Sequence, residues 1–537
     1  VAVVGGGLAG ISAALACADA GAQVTLFEKR ARLGGLTWSF SHDGLTMDNG
    51  QHVFLRCCTA YMDFLDRIGS RGDVALQDRL DVNVFRPRAN PKGMTGPDGA
   101  AGPHGHGPAQ PAASAYGLPD RGVLRRDRFP APLHLGRSLL NYRLLPLSAR
   151  LRLGLAAVPL ARLDLNDPAL DEQTFASWLA RHGQGEAAVS ALWDLICLPT
   201  VNLPATEASL SMAAKVFQTG LLTDAGAGDI GWSRVPLGLL HGERGALALG
   251  QAGVQVRLGE AVFGIDGPSG EQAVATSGPR FEVHAAKGNL TADGVVVALP
   301  HYCTEEVLPQ GALPDQVRPS RLASSPIVNV HVHFDRRVTE LPFVAGLGTD
   351  AQWVFDRTVS SGASTGQYLA VSISAADDYI GTRPDDLVPQ VVASLRALFP
   401  AARPAQVLST FVTKEHQATF RATPGSAVHR ASTRTRAPGL VLAGAWTATG
   451  WPPTMEGAVR SGVSAARAVL VATGRRHSLP PLPGPTGPGL RADLGEEPQL
   501  RAQLVLSPGQ DQQVKPATGT EPGSGPVPEP IKLEEVV

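Results

Sequence analysis

Cysteine is sparse and unclustered. Cys17, Cys57, Cys58, Cys197 and Cys303 form no CxxC pair. No histidine cluster sits at metal-ligand spacing either, so a zinc ribbon and a disulfide scaffold are excluded, and the thiols read as reduced and buried. No metal is expected. His104 and His106 form an isolated HGH in a Gly- and Pro-rich stretch, where histidines are ordinarily just solvated. An excess of one charge is also missing. Lys and Arg total 47 and Asp and Glu 48, for a net charge of -1. That balance offers nothing to nucleic acid. No apolar run reaches the roughly 18–20 residues that span a bilayer. The chain starts on a strand, without a signal-peptide pattern. A cytoplasmic protein is therefore expected, with a peripheral position at the inner face of the cell membrane as a further expectation taken up below.

What is present is 43% hydrophobic sequence over 537 residues, enough for several domains' worth of core. VAVV at the start reads as a buried strand. Gly5, Gly7 and Gly10 follow as GxGxxG and open the helix LAGISAALACADAG, with Leu8 and Ala9 in its first turn. QVTLFE is the second strand and ends on Glu28, followed by Lys29. Each glycine has a task in a dinucleotide site. Gly5 permits the turn, Gly7 lets backbone approach a pyrophosphate, and Gly10 lets helix and sheet pack closely. The helix N-terminus offers unpaired N–H groups to phosphate. Glu28, about twenty residues on, is placed to accept from an adenosine ribose and disfavours a 2′-phosphate. Strand, turn, helix, strand and acid in this order make a specific signal.

Gly34 and Gly35, in KRARLGGLTWSF, bring a second backbone loop close to the cofactor. This extension resembles the flavin-containing amine oxidase and phytoene desaturase superfamily, although Leu36 stands where members often carry Arg. Three more segments sharpen the likeness. MDNGQHVFLRCCTAYMDFLDRIG carries Asn49, Gly50, Gln51 and His52 ahead of an amphipathic helix. LWDLICLPTVNLPATEASLSMAAKVF joins two helices through an Asn-containing turn. LVLAGAWTATGWPPTMEGAVRSGVSAA combines a strand, a Gly-rich turn and a helix starting near Met455. Together they resemble the hydroxysqualene dehydroxylase family over most of residues 1–86 and 123–473.

The resemblance implies FAD as cofactor and an α/β fold. A Rossmann-like FAD-binding domain is expected, with an α+β substrate-binding domain and a helical, membrane-facing segment. Its implied FAD contacts are Gly5, Gly7, Leu8, Ala9, Gly10, Glu28, Lys29, Gly34, Gly35, Gly50, Gln51, His52, Val262, Gly444, Trp446, Pro453, Thr454, Met455 and Glu456. Pro452 and Pro453 set the entry to the last helix and Thr454 is a candidate N-cap. The first-turn N–H groups of Met455 and Glu456 then suit the anionic edge of a reduced flavin. Ala445 replaces the family's usual Asp, which would bond a ribityl hydroxyl. Trp446 and Trp451 are candidate walls of the flavin pocket. VQVRLGEAVFGID reads as a strand pair, and the resemblance implies that its Val262 region is the second adenosine contact.

Seven spans follow. Residues 1–86, 241–300 and 440–473 are the three parts of the FAD-binding domain. Residues 87–122 are a Gly/Pro-rich insertion and 474–537 a tail, both expected to be disordered. Residues 123–240 are mostly helical and face substrate and membrane; 301–439 form the α+β domain. The implied substrate is a long-chain isoprenoid, hydroxysqualene, reduced to squalene. His52 is the candidate general acid, because imidazole titrates near neutral pH. Residues 133–163 mix leucines with Arg137, Arg143, Arg150, Arg152 and Arg162 and contain no acid, the pattern of a membrane-surface segment. A carotenoid desaturase, an amine oxidase and a non-catalytic flavin or lipid binder are the rival readings. The oligomeric state stays open.

Overall fold

The computed structural model describes residues 1–88, 117–268, 280–475, 479 and 481–482. The first strand, Ala2–Val4, is buried on both faces, as an unbroken run of small β-branched and Ala residues requires. Parallel neighbours flank it: Thr25–Glu28 on one side, Val295–Val297 on the other. Gln255–Leu258 and Leu440–Leu442 complete a five-stranded parallel sheet. Three separate stretches of chain thus build one dinucleotide-type sheet. The first helix, Leu8–Asp19, and the last, Met455–Ala472, pack together beside it. A Cβ on Gly462 would sit 2.2 Å from the Ala9 carbonyl oxygen, so glycine is what permits this approach.

A seven-stranded sheet forms the second layer system. Its order is Val407–Phe420, Ser324–Phe334, Gln367–Ser374, Trp353–Asp356, Phe343–Gly346, Asp81–Arg86 and Asp120–Arg125. Helix Pro384–Leu398 covers one face through Leu387, Val391, Leu395 and Leu398, packed on Val328, Val330, Val332 and Phe334. The other face receives the hairpin Ser39–His42/Leu45–Asp48, with Leu45, Met47, Tyr368 and Phe411 in contact.

The strands redraw three expected boundaries. Asp81–Arg86 belongs to the seven-stranded sheet rather than to the dinucleotide domain, and pairs with Asp120–Arg125. The expected insertion 87–122 therefore ends inside a strand. That strand hid because Gly122 interrupts its apolar side; the Tyr142 ring and Leu144 fill the space, and a Cβ at 122 would lie 2.5 Å from the ring. Most of the insertion, 89–116, and almost all of the tail lie outside the described residues. VQVRLGEAVFGID does not pair with itself. Gln255–Leu258 joins the parallel sheet, whereas Val262–Asp266 pairs with Phe281–Ala285 in a separate three-stranded antiparallel sheet. Gly259, at φ +61°, turns the chain between them.

The region 123–240 is largely helical, including Leu147–Leu160, Phe175–Arg181, Asp194–Val201 and Leu210–Phe217. Phe175, Trp178, Trp193 and Phe217 form its aromatic core. One strand, Ile230–Ser233, leaves this region to pair with Val53–Leu55 and Val74–Leu76.

Candidate functional site

The N-terminal turn is built from backbone proximity. Gly5 has φ +110°, and a Cβ on Gly10 would lie 1.8 Å from the Gly5 carbonyl oxygen. Gly34 N–H donates to the Gly6 carbonyl at 2.9 Å, and a Cβ on Gly35 would lie 2.9 Å from Gly7 Cα. The two glycine turns are therefore stacked on each other. Gly7 itself is different: its Cβ would meet only Gly35 Cα, at 3.8 Å, leaving open space above the turn. No side chain caps the helix that Leu8 and Ala9 begin. Its first-turn N–H groups face that space as an anion-binding end.

Both oxygens of Glu28 are engaged by backbone, from Gly6 N at 2.7 Å and Arg30 N at 2.8 Å. A carboxylate has lone pairs to spare for ribose hydroxyls. Lys29 is exposed. Glu260 N donates to the Glu28 carbonyl at 3.0 Å, which brings the start of the Val262 strand to the same end. Arg30 and Arg32, which the sequence reading passed over, both reach the Gly35 carbonyl, at 3.5 and 3.2 Å. Burial, and then the like charge of Arg30, hold the Arg32 guanidinium down to about 10. Two crowded cations beside an uncapped helix end are what a pyrophosphate would relieve. The available signal was the run Lys29-Arg30-Ala31-Arg32 after the acid.

At the other end, Gly444 takes φ +141° and donates its N–H to Ser461 Oγ at 2.8 Å. Trp446 lies under Gly444, with Nε1 bonded to the Leu299 carbonyl at 2.9 Å. Trp451 is packed between Arg460 and Lys215, whose charged groups lie 4.7 and 5.4 Å from its ring centroid. Both indoles are buried. The expected pocket walls are core residues, because the Gly444 turn draws Trp446 inward and the two cations enclose Trp451.

Arg430 holds this turn. Its guanidinium donates to the carbonyls of Trp446, Thr447 and Trp451 at 3.2, 2.6 and 2.9 Å and stacks over Phe420. Burial pushes it down to about 10. Nothing in local sequence pattern marked it.

After Pro453, Thr454 caps the last helix, accepting from Gly457 N at 3.3 Å. That leaves the N–H groups of Met455 and Glu456 without intrahelical acceptors. The Glu456 side chain turns away into the core. It accepts from Ala60 N, Tyr61 N and Arg460 Nε at 3.2, 2.7 and 2.6 Å, tying this helix to Thr59–Arg67. Burial raises its carboxyl, against Arg460.

The first and last helices run antiparallel where they touch, since Ser12 Oγ meets the Val459 carbonyl while Ala9 meets Gly462. Met455 lies seven residues before Gly462, about 10 Å along the axis. One extended molecule can therefore pass from the Gly7 turn to the N-terminus of the last helix. An uncapped helix end, a cradle that a Cβ at Gly7 would fill and a cation pair suit the pyrophosphate of FAD. Met455 and Glu456 suit its flavin end.

The third segment is clamped between the domains. Asn49 Oδ1 accepts from Trp38 N at 3.1 Å, and its Nδ2 donates to the Leu36 carbonyl at 2.9 Å. The Asn49 carbonyl accepts from Asn329 Nδ2 at 3.1 Å and Thr413 Oγ1 at 2.8 Å. A Cβ on the buried Gly50 would lie 3.4 Å from Asn329 Nδ2 and 3.6 Å from His52 Nε2. Gln51 and His52 line a small pocket with Trp232, Phe355 and Arg357. Burial pushes the His52 imidazole down, only partly opposed by Asp48. A neutral imidazole predominates near neutral pH, which argues against the proton-donor role expected of His52.

Among the described residues one group has metal-ligand geometry: Asp266, Glu282 and His284, on exposed strands. His284 is already bonded to Asp266 at 2.8 Å.

The parallel sheet, the stacked glycine turns and the far helix end define an FAD-dependent α/β oxidoreductase. The chain belongs to the flavin-containing amine oxidoreductase family, whose model matches residues 8–470. It is similar to hydroxysqualene dehydroxylase of Zymomonas mobilis, 26% identical and covering 87% of this chain and 98% of that one. It is also similar to zeta-carotene desaturase of Synechocystis, 25% identical over 88% and 97% of the two chains. Among solved structures, cyclohexylamine oxidase of Brevibacterium oxydans shares the fold, with a TM-score of 0.62, 19% identity and 88% and 99% coverage. Among the described residues no helix is long and apolar enough to cross a membrane.

Proposed function

We propose that the chain removes the hydroxyl of a long isoprenoid alcohol reductively, converting hydroxysqualene to squalene. The observation that carries this reading is the similarity to hydroxysqualene dehydroxylase of Zymomonas mobilis along nearly its whole length. In the balanced reaction a C–O bond breaks and a C–H bond forms. The substrate gains a hydride and the hydroxyl leaves as water after taking one proton. Reduced FAD, when bound, supplies the hydride and its two electrons.

The chain must hold that cofactor, deliver the proton and exclude bulk water. Gly5, Gly7, Gly34, Gly35, Arg30 and Arg32 would hold the pyrophosphate, and Met455 and Glu456 N–H groups the flavin edge. Glu415 replaces His52 as the general acid in this reading. Thr413 and Glu415 lie two positions apart on a regular stretch of strand, so their side chains share a face. Thr413 bonds the Asn49 carbonyl, so that face lies over the Asn49–His52 turn; Lys414 points away, to the carbonyls of Ile380 and Thr382. Burial raises the Glu415 carboxyl, with Arg30 the leading opposing charge. A carboxyl whose hold on its proton is raised above the ordinary carboxylate's is shifted in the direction that general-acid work requires.

The test is anaerobic incubation of the FAD-reduced enzyme with hydroxysqualene, reading flavin reoxidation and product mass. Squalene is expected. Oxidised enzyme that desaturates phytoene or zeta-carotene, with no squalene formed, would overturn the proposal in favour of a carotenoid desaturase, the reading that the Synechocystis relative favours. Glu415→Gln should lower kcat by about 10²–10⁴-fold with KM little changed. An unaltered kcat and pH profile would remove Glu415 from the acid role.

A further inference from the structure

Helix Leu147–Leu160 is apolar on two sides. Leu153, Ala156 and Leu160 are buried in the core. Leu147, Leu151 and Leu155, spaced by four residues and hence on one face, stand 58–65% exposed. Its outer apolar face, with Arg150 and Arg152 to either side, asks for a cover. The patch extends beyond the helix. Phe129, Leu133 and Leu140, in the segment leading into it, are each more than half exposed. Single exposed leucines need no explanation, but six concentrated between residues 129 and 155 do.

Charge selects the cover. From Arg128 to Leu163 there are six arginines and no Asp or Glu, in a chain whose overall net charge is -1. Arg128, Arg137, Arg143, Arg152 and Arg162 are exposed among the leucines. Segment 89–116, next to this region in sequence, consists mainly of Gly, Pro, Ala and small polar residues and offers few large apolar side chains to cover it. An apolar face whose own segment carries guanidinium groups and no carboxylates complements an anionic phospholipid surface: leucines enter the acyl boundary and arginines meet headgroup phosphates.

We propose that residues 128–162 form a docking surface for an anionic bilayer, with Leu151 and Leu155 among the inserting side chains. This surface is read without reference to the substrate, so it stands or falls apart from the proposed dehydroxylation.

The full-length FAD-loaded protein should float with vesicles containing phosphatidylglycerol and much less with pure phosphatidylcholine vesicles. Binding should weaken with added salt. Leu151→Glu/Leu155→Glu, and separately Arg143→Glu/Arg152→Glu, should each reduce the bound fraction on the order of tenfold. Flavin absorbance and thermal midpoint, which report folding, should stay unchanged. Equal flotation of both variants and wild type would overturn the proposal. So would a wild-type dimer that ignores vesicles and that Leu151→Glu/Leu155→Glu converts to monomer, because a second copy would then be the cover.

Discussion

Asp48 and Arg357 meet as a buried ion pair, Oδ2 to Nη2 at 2.9 Å, although 309 positions separate them in the chain. Asp48 Oδ1 also accepts from Ser39 Oγ at 2.7 Å and Leu237 N at 2.8 Å, and Arg357 donates to the Ser233 carbonyl. The pair locks the strand that ends at the Asn49–His52 turn onto the seven-stranded sheet. Removing one partner leaves the other charged in low dielectric. Arg357→Met should therefore destabilise by about 3–5 kcal/mol. Asp48→Asn/Arg357→Met together should cost less than the sum of the single changes, since neither charge is then stranded. Urea midpoints of the four proteins check this; simple additivity would mean that the contact carries no coupling.

Gly7 and Gly10 predict opposite outcomes for the same added methyl. At Gly10 it would strike the Gly5 carbonyl at 1.8 Å, so Gly10→Ala should prevent folding. At Gly7 it meets only Gly35 Cα at 3.8 Å. Gly7→Ala should give a folded apoprotein whose FAD affinity is lost, because the methyl fills the pyrophosphate path. Circular dichroism reports the first effect and the flavin spectrum after FAD addition the second. A yellow Gly7→Ala protein with unchanged affinity would place the cofactor elsewhere.

These contrasts show where sequence reading succeeds. Gly5, Gly10, Glu28 and Thr454 act through neighbours within a few residues or one βαβ unit, so local rules find them. The start of the last helix at Met455 follows from its cap in the same way. Arg30 and Arg32 were legible in principle, as part of the cationic run that follows Glu28. Arg430, Asp48–Arg357 and the Glu456 contacts with Ala60 and Tyr61 were not. Their meaning depends on partners far apart in sequence, which only the packing of two domains brings together. Trp446 and Trp451 misled for a related reason. An aromatic beside a glycine turn reads equally well as a pocket wall or as core, and only the inward turn at Gly444 decides.

Two buried histidines predict acid sensitivity. Burial pushes His241 and His331 down to about 3 from an ordinary value of 6.5. Tyr61 Oη and Tyr368 Oη bond them at 2.7 and 2.6 Å. As pH falls through about 6.5, the unfolded chain takes up protons that the folded chain refuses. Stability is thus lost progressively from there toward the folded value of about 3, at up to about 1.4 kcal/mol per pH unit for each histidine. His331→Asn should flatten the dependence of stability on pH by about one proton, and His241→Asn likewise. Urea midpoints taken from neutral pH down to about pH 5 test this. Slopes identical to wild type would mean that these rings are solvated in the folded state.

The hairpin at the edge of the seven-stranded sheet predicts that residues 89–116 can be replaced. Arg86 and Asp120 are register partners, and Gly117 N donates to the Arg88 carbonyl at 3.2 Å. Arg88 and Asp120 also form an ion pair at 2.7 Å. The two ends of the segment are thus already hydrogen-bonded to each other, at the separation a two-residue hairpin turn spans. Substituting Asn-Gly for residues 89–116 should preserve both strands, since that dipeptide favours the turn matching their twist. Shortening the connection lowers its closure entropy by about 2 kcal/mol, so the thermal midpoint should hold or rise. Flavin content should be unchanged, because neither strand belongs to the parallel sheet that carries the glycine turns. A variant that folds but loses activity would show that the replaced segment takes part in turnover. A variant that fails to fold would show that the strand pair needs the segment, and that the Arg88–Gly117 contact cannot close the hairpin alone.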